Sequence, residues 1–220
     1  DPDTDWDKVI LRMTYDEDIQ DLKNNSSSTT GVVSVVGTPT KFNGSVKLSA
    51  NSSIFYNTED TFFNNGFTIE GWVYFNSTSL NTRTFFSKGP IVFIYSAYQG
   101  DDEELEFEIG NTQTGDYDSF EFTLGDGTVS TVTAKEKIWY HFAFCRDEEN
   151  GVVTFYWDGD RKGQCAELNN NVDSDQLIFE IGGDASAEQD CYFDDIRVSS
   201  FDRYGVQPSI PVPTEPYPVS

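Results

Sequence analysis

Histidine, methionine and basic side chains are scarce in this chain. His141 is the only histidine, and there is one methionine in 220 residues. A single histidine leaves multi-histidine metal centres and most nucleophilic triads without their parts. Lys and Arg number 14 against 38 Asp and Glu, a formal charge of −24. Such a surface repels both a phosphate backbone and an anionic bilayer, which argues against nucleic acid and membrane insertion. No transmembrane run, signal peptide or initiator methionine is visible, so residue 1 reads as a processed or excised start. No glycine-rich phosphate loop follows any strand pattern. Cys145, Cys165 and Cys191 lack zinc-type spacing. Their odd number leaves one thiol over. A Cys165–Cys191 bridge stays open, and Cys145 falls at a buried strand position.

What the chain has instead is aromatic: 18 Phe, 11 Tyr and 4 Trp, with 17 glycines spread among them. Trp139 to Phe144 and Val153 to Trp157 alternate at period two across the turn-forming loop Arg146–Gly151, a hairpin pattern. Asp158-Gly159 marks a second tight turn into Lys162–Cys165. Further strands are expected over Val9–Tyr15, Val32–Val36, Thr40–Ser49 with a break at Gly44, Phe67–Phe75, Phe85–Ser87, Ile91–Tyr95 and Leu105–Ile109. Phe120–Leu124, Val129–Thr133, Leu177–Ile181 and Tyr192–Val198 complete the set. Residues 20–31 read as a loop, and 51–65 as a connection holding a short helical turn. The reading is all-β: an antiparallel sandwich in one domain over residues 1–207. Five of the eight prolines fall within 208–218, so 208–220 reads as an extended exit linker.

Four segments in order resemble the concanavalin A-like, laminin-G-type domains. They are Phe67-Thr68-Ile69-Glu70-Gly71-Trp72-Val73, then Trp139-x-His141-x-Ala143, then Phe155-Tyr156-Trp157-Asp158-Gly159. The last is Ile181-Gly182-Gly183 leading to Phe193-Asp194-Asp195-Ile196-Arg197-Val198. The framing segments Trp6–Leu11 and Phe201–Tyr204, with the Pro-rich exit, are similar to modules of tailed-phage fibre and virion surface proteins. The resemblance implies two curved antiparallel sheets in jelly-roll topology, a fold that hosts lectins, adhesion modules and some glucanases. Such a fold leaves function to be argued from sites.

The resemblance also implies a structural calcium ion. Asp194 matches its aspartate, the Gly44 carbonyl is a second ligand, and Asp16 lies at the end of the first strand. Carboxylates and carbonyls from distant segments suit the flexible oxygen shell of that ion. Glu104-Leu105-Glu106-Phe107-Glu108 places its carboxylates on one sheet face. It is similar to the Glu-x-Asp-x-Glu strand of retaining glucanases of this fold. Glu106 replaces the middle Asp, no Trp precedes the motif, and Asp101-Asp102-Glu103 extends it as a solvated acidic run. His141 falls at a core position. Carbohydrate recognition is expected of Tyr95, Tyr98, Gln99, Asp101, Asn111, Asp116 and Tyr117, aromatic faces and amides flanking the concave sheet. Asn-x-Ser/Thr sequons start at Asn24, Asn25, Asn43, Asn51 and Asn76.

The resulting expectation is a non-catalytic carbohydrate-binding or adhesion module of a virion fibre or other extracellular surface protein. Its partners would be cell-surface glycan and other virion or fibre subunits. The alternatives are a glucan hydrolase using Glu104 and Glu108, or a ligand-free decoration domain.

Overall fold

The Trp139–Trp157 hairpin pairs as its alternation requires, with Phe142 opposite Trp157 and Phe144 opposite Phe155. The computed structural model describes residues 4–49, 51–58, 66–76, 83–88, 91–98, 104–111, 116–119, 132–133, 136–165, 178–183 and 191–218. The strands are β1 (Val9–Met13), β2 (Ser27–Thr30), β3 (Val33–Val36), β4 (Ser45–Leu48), β5 (Ser53–Asn57), β6 (Phe67–Phe75), β7 (Arg83–Lys88), β8 (Ile91–Tyr98), β9 (Glu104–Asn111), β10 (Asp116–Ser119), β11 (Val132–Thr133), β12 (Trp139–Arg146), β13 (Val153–Trp157), β14 (Asp160–Cys165), β15 (Ile178–Gly182) and β16 (Cys191–Ser199). The one helical piece among the described residues is a 3-10 turn at Trp6–Lys8.

These strands form two antiparallel sheets. The first runs β14-β13-β12-β6-β16-β4-β3, with β1 also beside β16. The second runs β10-β9-β8-β7-β15-β5-β2, with β11 beside β9. Between the sheets lies the Phe-rich core. Phe85 of the second sheet meets Phe142 at 5.1 Å and Phe193 at 5.0 Å, and Phe93 meets Phe144 at 4.9 Å. Edge and tilted ring contacts of this kind stabilise beyond area burial alone. Phe85 and Phe86 are adjacent in sequence yet both fully buried, because the β7–β8 register slips between Thr84 and Phe86.

Three expectations need correction. Residues 20–31 are not all loop, since Ser27–Thr30 pairs with β5 as an edge strand. The expected helical turn in 51–65 gives way to β5 over the described part, because Ile54 and Tyr56 bury their side chains in the core. The strand expected from Thr40 begins only at Ser45. Residues 120–124 lie outside the described residues.

The Pro-rich segment is packed onto the first sheet. Ser209 forms a bridge with Asp160, and the Ile210 amide donates to the Gly159 carbonyl at 2.7 Å. Gly159 has φ +83, and a Cβ there would stand 2.7 Å from the Ile210 carbonyl oxygen. Only glycine allows both the turn and that approach. Ile210 and Tyr217 are buried, so residues 208–218 belong to the packed body.

Candidate functional site

The outer face of the first sheet is organised by a bulge in β16. Asp194 pairs with Trp72 and Arg197 with Glu70, so β16 carries one extra residue between them. At the same point the neighbour of β16 changes from β4 to β1. Asp195 takes φ 53, and Gly71 leaves room for Ile196, whose Cδ1 would stand 2.4 Å from a Cβ there. The bulge therefore puts two consecutive aspartates on the outer side while Phe193 and Ile196 both reach the core.

Asp195 and its surroundings form a sealed polar lattice. Its Oδ1 accepts from Arg12 Nη2, and its Oδ2 accepts from the Tyr217 amide at 2.8 Å. Arg12 Nη2 also donates to the Tyr217 carbonyl at 2.9 Å. Beside it Glu70 accepts from Arg197 Nε at 2.9 Å and from the Tyr204 hydroxyl at 2.7 Å. Burial pushes the Glu70 carboxyl up, but Arg197, His141, Tyr204 and Arg203 together hold it below its usual range. The His141 Nε2 and the Tyr217 hydroxyl share a hydrogen bond of 2.7 Å. Burial lowers His141 to about 4, with Glu70 offsetting only part of the effect, so the ring is neutral. The Cys145 thiol is pushed well up by burial. None of these groups is set up as a nucleophile or base: each is buried, and the charged ones are paired. Cys191 is buried, and the side chain of Cys165 lies outside the described residues.

The next row across the sheet is His141, Trp72 and Asp194, register partners in turn. Asp194 Oδ2 accepts from the Lys41 and Phe42 amides at 2.9 and 3.0 Å. Its Oδ1, Trp72 Nε1 and His141 Nδ1 are buried without a protein partner. Burial raises the Asp194 carboxyl to about 7 despite those amides, and Asp195 and Asp16 push it the same way. Gly44 lies directly on the first strand's end, where a Cβ would stand 2.1 Å from the Tyr15 carbonyl oxygen. Tyr15 itself holds φ 56. The structure therefore brings Asp194, Asp16 and the Gly44 backbone to one place. No group of three metal-capable side chains exists among the described residues, so a cation there needs backbone oxygens as well. An orphaned carboxylate oxygen under like charge and strained carbonyl-bearing backbone fit a hard divalent ion.

One row further lie three aromatics that sequence reading passed over. Trp139, Tyr74 and Tyr192 are successive register partners on β12, β6 and β16. Ring centroids are 5.4 Å apart for Tyr74–Trp139 and 5.5 Å for Tyr74–Tyr192. Trp139 and Tyr74 are half-buried, and Tyr192 is 9% exposed. The row continues to Lys47 on β4. Parity was the available signal: Tyr140, Val73, Phe75, Cys191 and Phe193 all enter the core, which turns Trp139, Tyr74 and Tyr192 outward.

The residues expected to bind sugar sit on the other sheet, described there as backbone positions. Asp101 and Gln99 lie outside the described residues. Tyr98 pairs with Glu104, whereas Ile91 pairs with Asn111, so the two ends of this hairpin are about 24 Å of strand apart. Asn111 and Asp116 are direct partners, and Tyr117 pairs with Gly110. The register thus places the set toward the two ends of that hairpin.

Two stacked antiparallel sheets with an outward aromatic row define a lectin-type jelly roll. The chain belongs to the concanavalin A-like lectin/glucanases superfamily, whose family model matches residues 41–202. No curated protein matches the sequence. Among solved structures, the botulinum neurotoxin serotype D binding domain is similar at a TM-score of 0.67 and 14% identity, over 91% of this chain and 50% of that one. A binding domain of botulinum neurotoxin DC, solved with rat synaptotagmin II, is similar at 0.68 and 11%, over 90% and 49%. The chain spans about half the length of these toxin domains. Domain 4 of AbnA, an extracellular arabinanase from Geobacillus stearothermophilus solved with arabinotriose, is similar at 0.65 and 20%, over 89% and 93%. At these identities the likeness is one of fold. No described helix is long and apolar enough to cross a membrane.

Proposed function

We propose that this domain is a non-catalytic carbohydrate-binding module acting outside the cell, on a virion fibre or comparable surface assembly, where it recognises host-surface glycan. The observation that carries the reading is the outward row Trp139–Tyr74–Tyr192, in which Trp139 and Tyr74 are half-buried. Aromatic faces take the C–H side of a sugar, while tyrosine hydroxyls meet its polar edge. Two neighbours of the same fold, one holding arabinotriose and one a toxin's binding domain, support a binding role. The test is a glycan array with titration of the hits. Saturable binding is expected, and Trp139→Ala should weaken it at least about tenfold, since truncating a central aromatic anchor costs ~2 kcal/mol or more. Binding that ignores Trp139 sinks the assignment to this face.

Calcium is the second part of the proposal. Asp194 Oδ1 would be its anionic ligand, with Asp16 and backbone oxygens around Gly44 completing the shell. The ion would tie the first strand's end to the last strand and supply no chemistry. A ligand that binds only the folded state raises the melting midpoint. Melting should therefore rise with millimolar calcium and fall in EDTA, and Asp194→Asn should lose that response. A midpoint indifferent to both additions removes the ion.

A further inference from the structure

We propose that two copies of this chain pair through β3, edge to edge about a twofold axis at Ser34. The first sheet then runs on from one copy into the other. The sequence around β3 carries two unusual patterns. No residue from 24 to 40 is charged in a chain of formal charge −24, and no other uncharged run is as long. Inside it, Thr30-Gly31-Val32-Val33-Ser34-Val35-Val36-Gly37-Thr38 reads the same in both directions. Thr30, Val32 and Ser34 are exposed, Val32 at 63%. Like-charged copies repel, so a neutral strip is where they touch at least cost.

The fold sets this run at the rim of both sheets. β3 ends the first sheet and β2 the second, with only Gly31 and Val32 between them. An edge strand offers N–H and C=O groups to another strand, and folded chains ordinarily blunt it with charge or a cover. The opposite edge of the first sheet has both. There β14 carries Asp160, Arg161 and Lys162, and the Arg161 amide donates to the Pro208 carbonyl at 3.1 Å. β3 has no charge and, among the described residues, no strand on its far side.

Backbone alternation fixes the pairing. The Ser49 amide donates to the Val32 carbonyl at 3.3 Å, in line with the β3–β4 register. Val32, Ser34 and Val36 therefore bond toward β4, while Val33 and Val35 turn their amides and carbonyls to the open edge. A twofold axis at Ser34 sets Val33 opposite Val35 of the second copy and Ser34 opposite itself. Val32 meets Val36 of the second copy on the outer face, which covers the exposed valine. Val33, packed against the core, and Val35, paired with buried Val46, continue the inner layer. Each opposed pair is Val–Val or Ser–Ser, and facing β-branched pairs stabilise a ladder.

Sedimentation equilibrium of the whole chain tests this up to about 0.5 mM, since so short a ladder makes a small interface and a weak dimer. A monomer–dimer equilibrium is expected. It should tighten at least about threefold from roughly 0.05 to 0.5 M salt, as repulsion between the two anionic bodies is screened. Ser34→Lys, at an exposed position, places like charges face to face and should weaken the dimer at least about tenfold, with the melting midpoint unchanged. Ser34→Cys should give a disulfide-linked dimer under mild oxidant, since opposed residues of a non-hydrogen-bonded pair stand ~4.5 Å apart at Cα. Thr29→Cys, held about 30 Å from its copy by the same register, should not. A chain that stays monomeric throughout, or a dimer that salt dissolves, overturns the inference. So does a dimer indifferent to Ser34→Lys, or equal cross-linking through Thr29→Cys. None of these outcomes bears on the carbohydrate reading, which stands or falls with Trp139.

Discussion

From Trp139 to Cys145, along a single strand, the outer face of one sheet changes from partly open aromatic rings to a sealed lattice of charge. At the Trp139 end, Trp139 and Tyr74 are half-buried and Tyr192 is buried beside them. At the other end, Glu70, Arg197, Arg12 and Asp195 are nearly or fully buried, with residues 203–217 laid over them. The difference follows from what each chemistry tolerates. A buried charge costs several kcal/mol unless every lone pair and proton is met, so the charged half needs the cover that Tyr204 and Tyr217 complete. Aromatic rings with polar tips sit well at a wet boundary and need none. The half requiring cover holds the fold together, and the uncovered half remains free for a partner.

Mutating the two halves should show the contrast, beginning with the sealed one. Glu70→Ala leaves Arg197 buried without its carboxylate and should cost ~3–5 kcal/mol in denaturant unfolding, with no selective effect on sugar binding. A loss below ~1 kcal/mol would mean the lattice is not what holds that half closed. Acid should act next. Folded His141 titrates at about 4. The unfolded ring takes its proton first, near 6.5, so its contribution to stability falls as pH drops from 6.5 to 4, by about 3 kcal/mol in all. Asp194, raised to about 7, works oppositely, binding its proton more readily when folded. The readout is therefore wild type minus His141→Gln, in chelator. That difference should narrow on acidification through the window, and a flat one refutes a neutral buried ring. Tyr217→Phe removes only a hydroxyl facing His141 and should cost ~1–2 kcal/mol. Trp139→Ala should move stability least, by about 1 kcal/mol or less, while having the largest effect on binding. A large loss of stability there would make Trp139 a core residue and dissolve the contrast.

Much of the sandwich was legible because inward positions carry Phe, Ile and Val at period two, as in Phe67–Phe75. The strands that sequence reading passed over had no such signature. Ser27–Thr30 is a polar edge strand, and Ser53–Asn57 shows just Ile54 and Tyr56 as its inward pair. Asp194, Gly44 and the end of the first strand lie close together, at a point where Tyr15 takes a positive φ. The sugar-binding set was less accessible. It was chosen by composition within loops, and composition does not encode register, which separates Tyr98 from Asn111. Nor does proline content reveal that Tyr217 will be drawn under Arg12 and Arg197; a cation–π contact with Arg12, 205 residues away, leaves no local trace.

The extra residue in β16 also acts as a phase switch for the last strand. Upstream of it the inward residues are Cys191 and Phe193; downstream they are Ile196 and Val198. Were β16 to pair without the bulge, the zigzag continued from Phe193 would turn Arg197 inward among the phenylalanines, or else the strand would have to slip against both β6 and β1. One backbone position thus sets the orientation of everything from the first strand to the closing tyrosine.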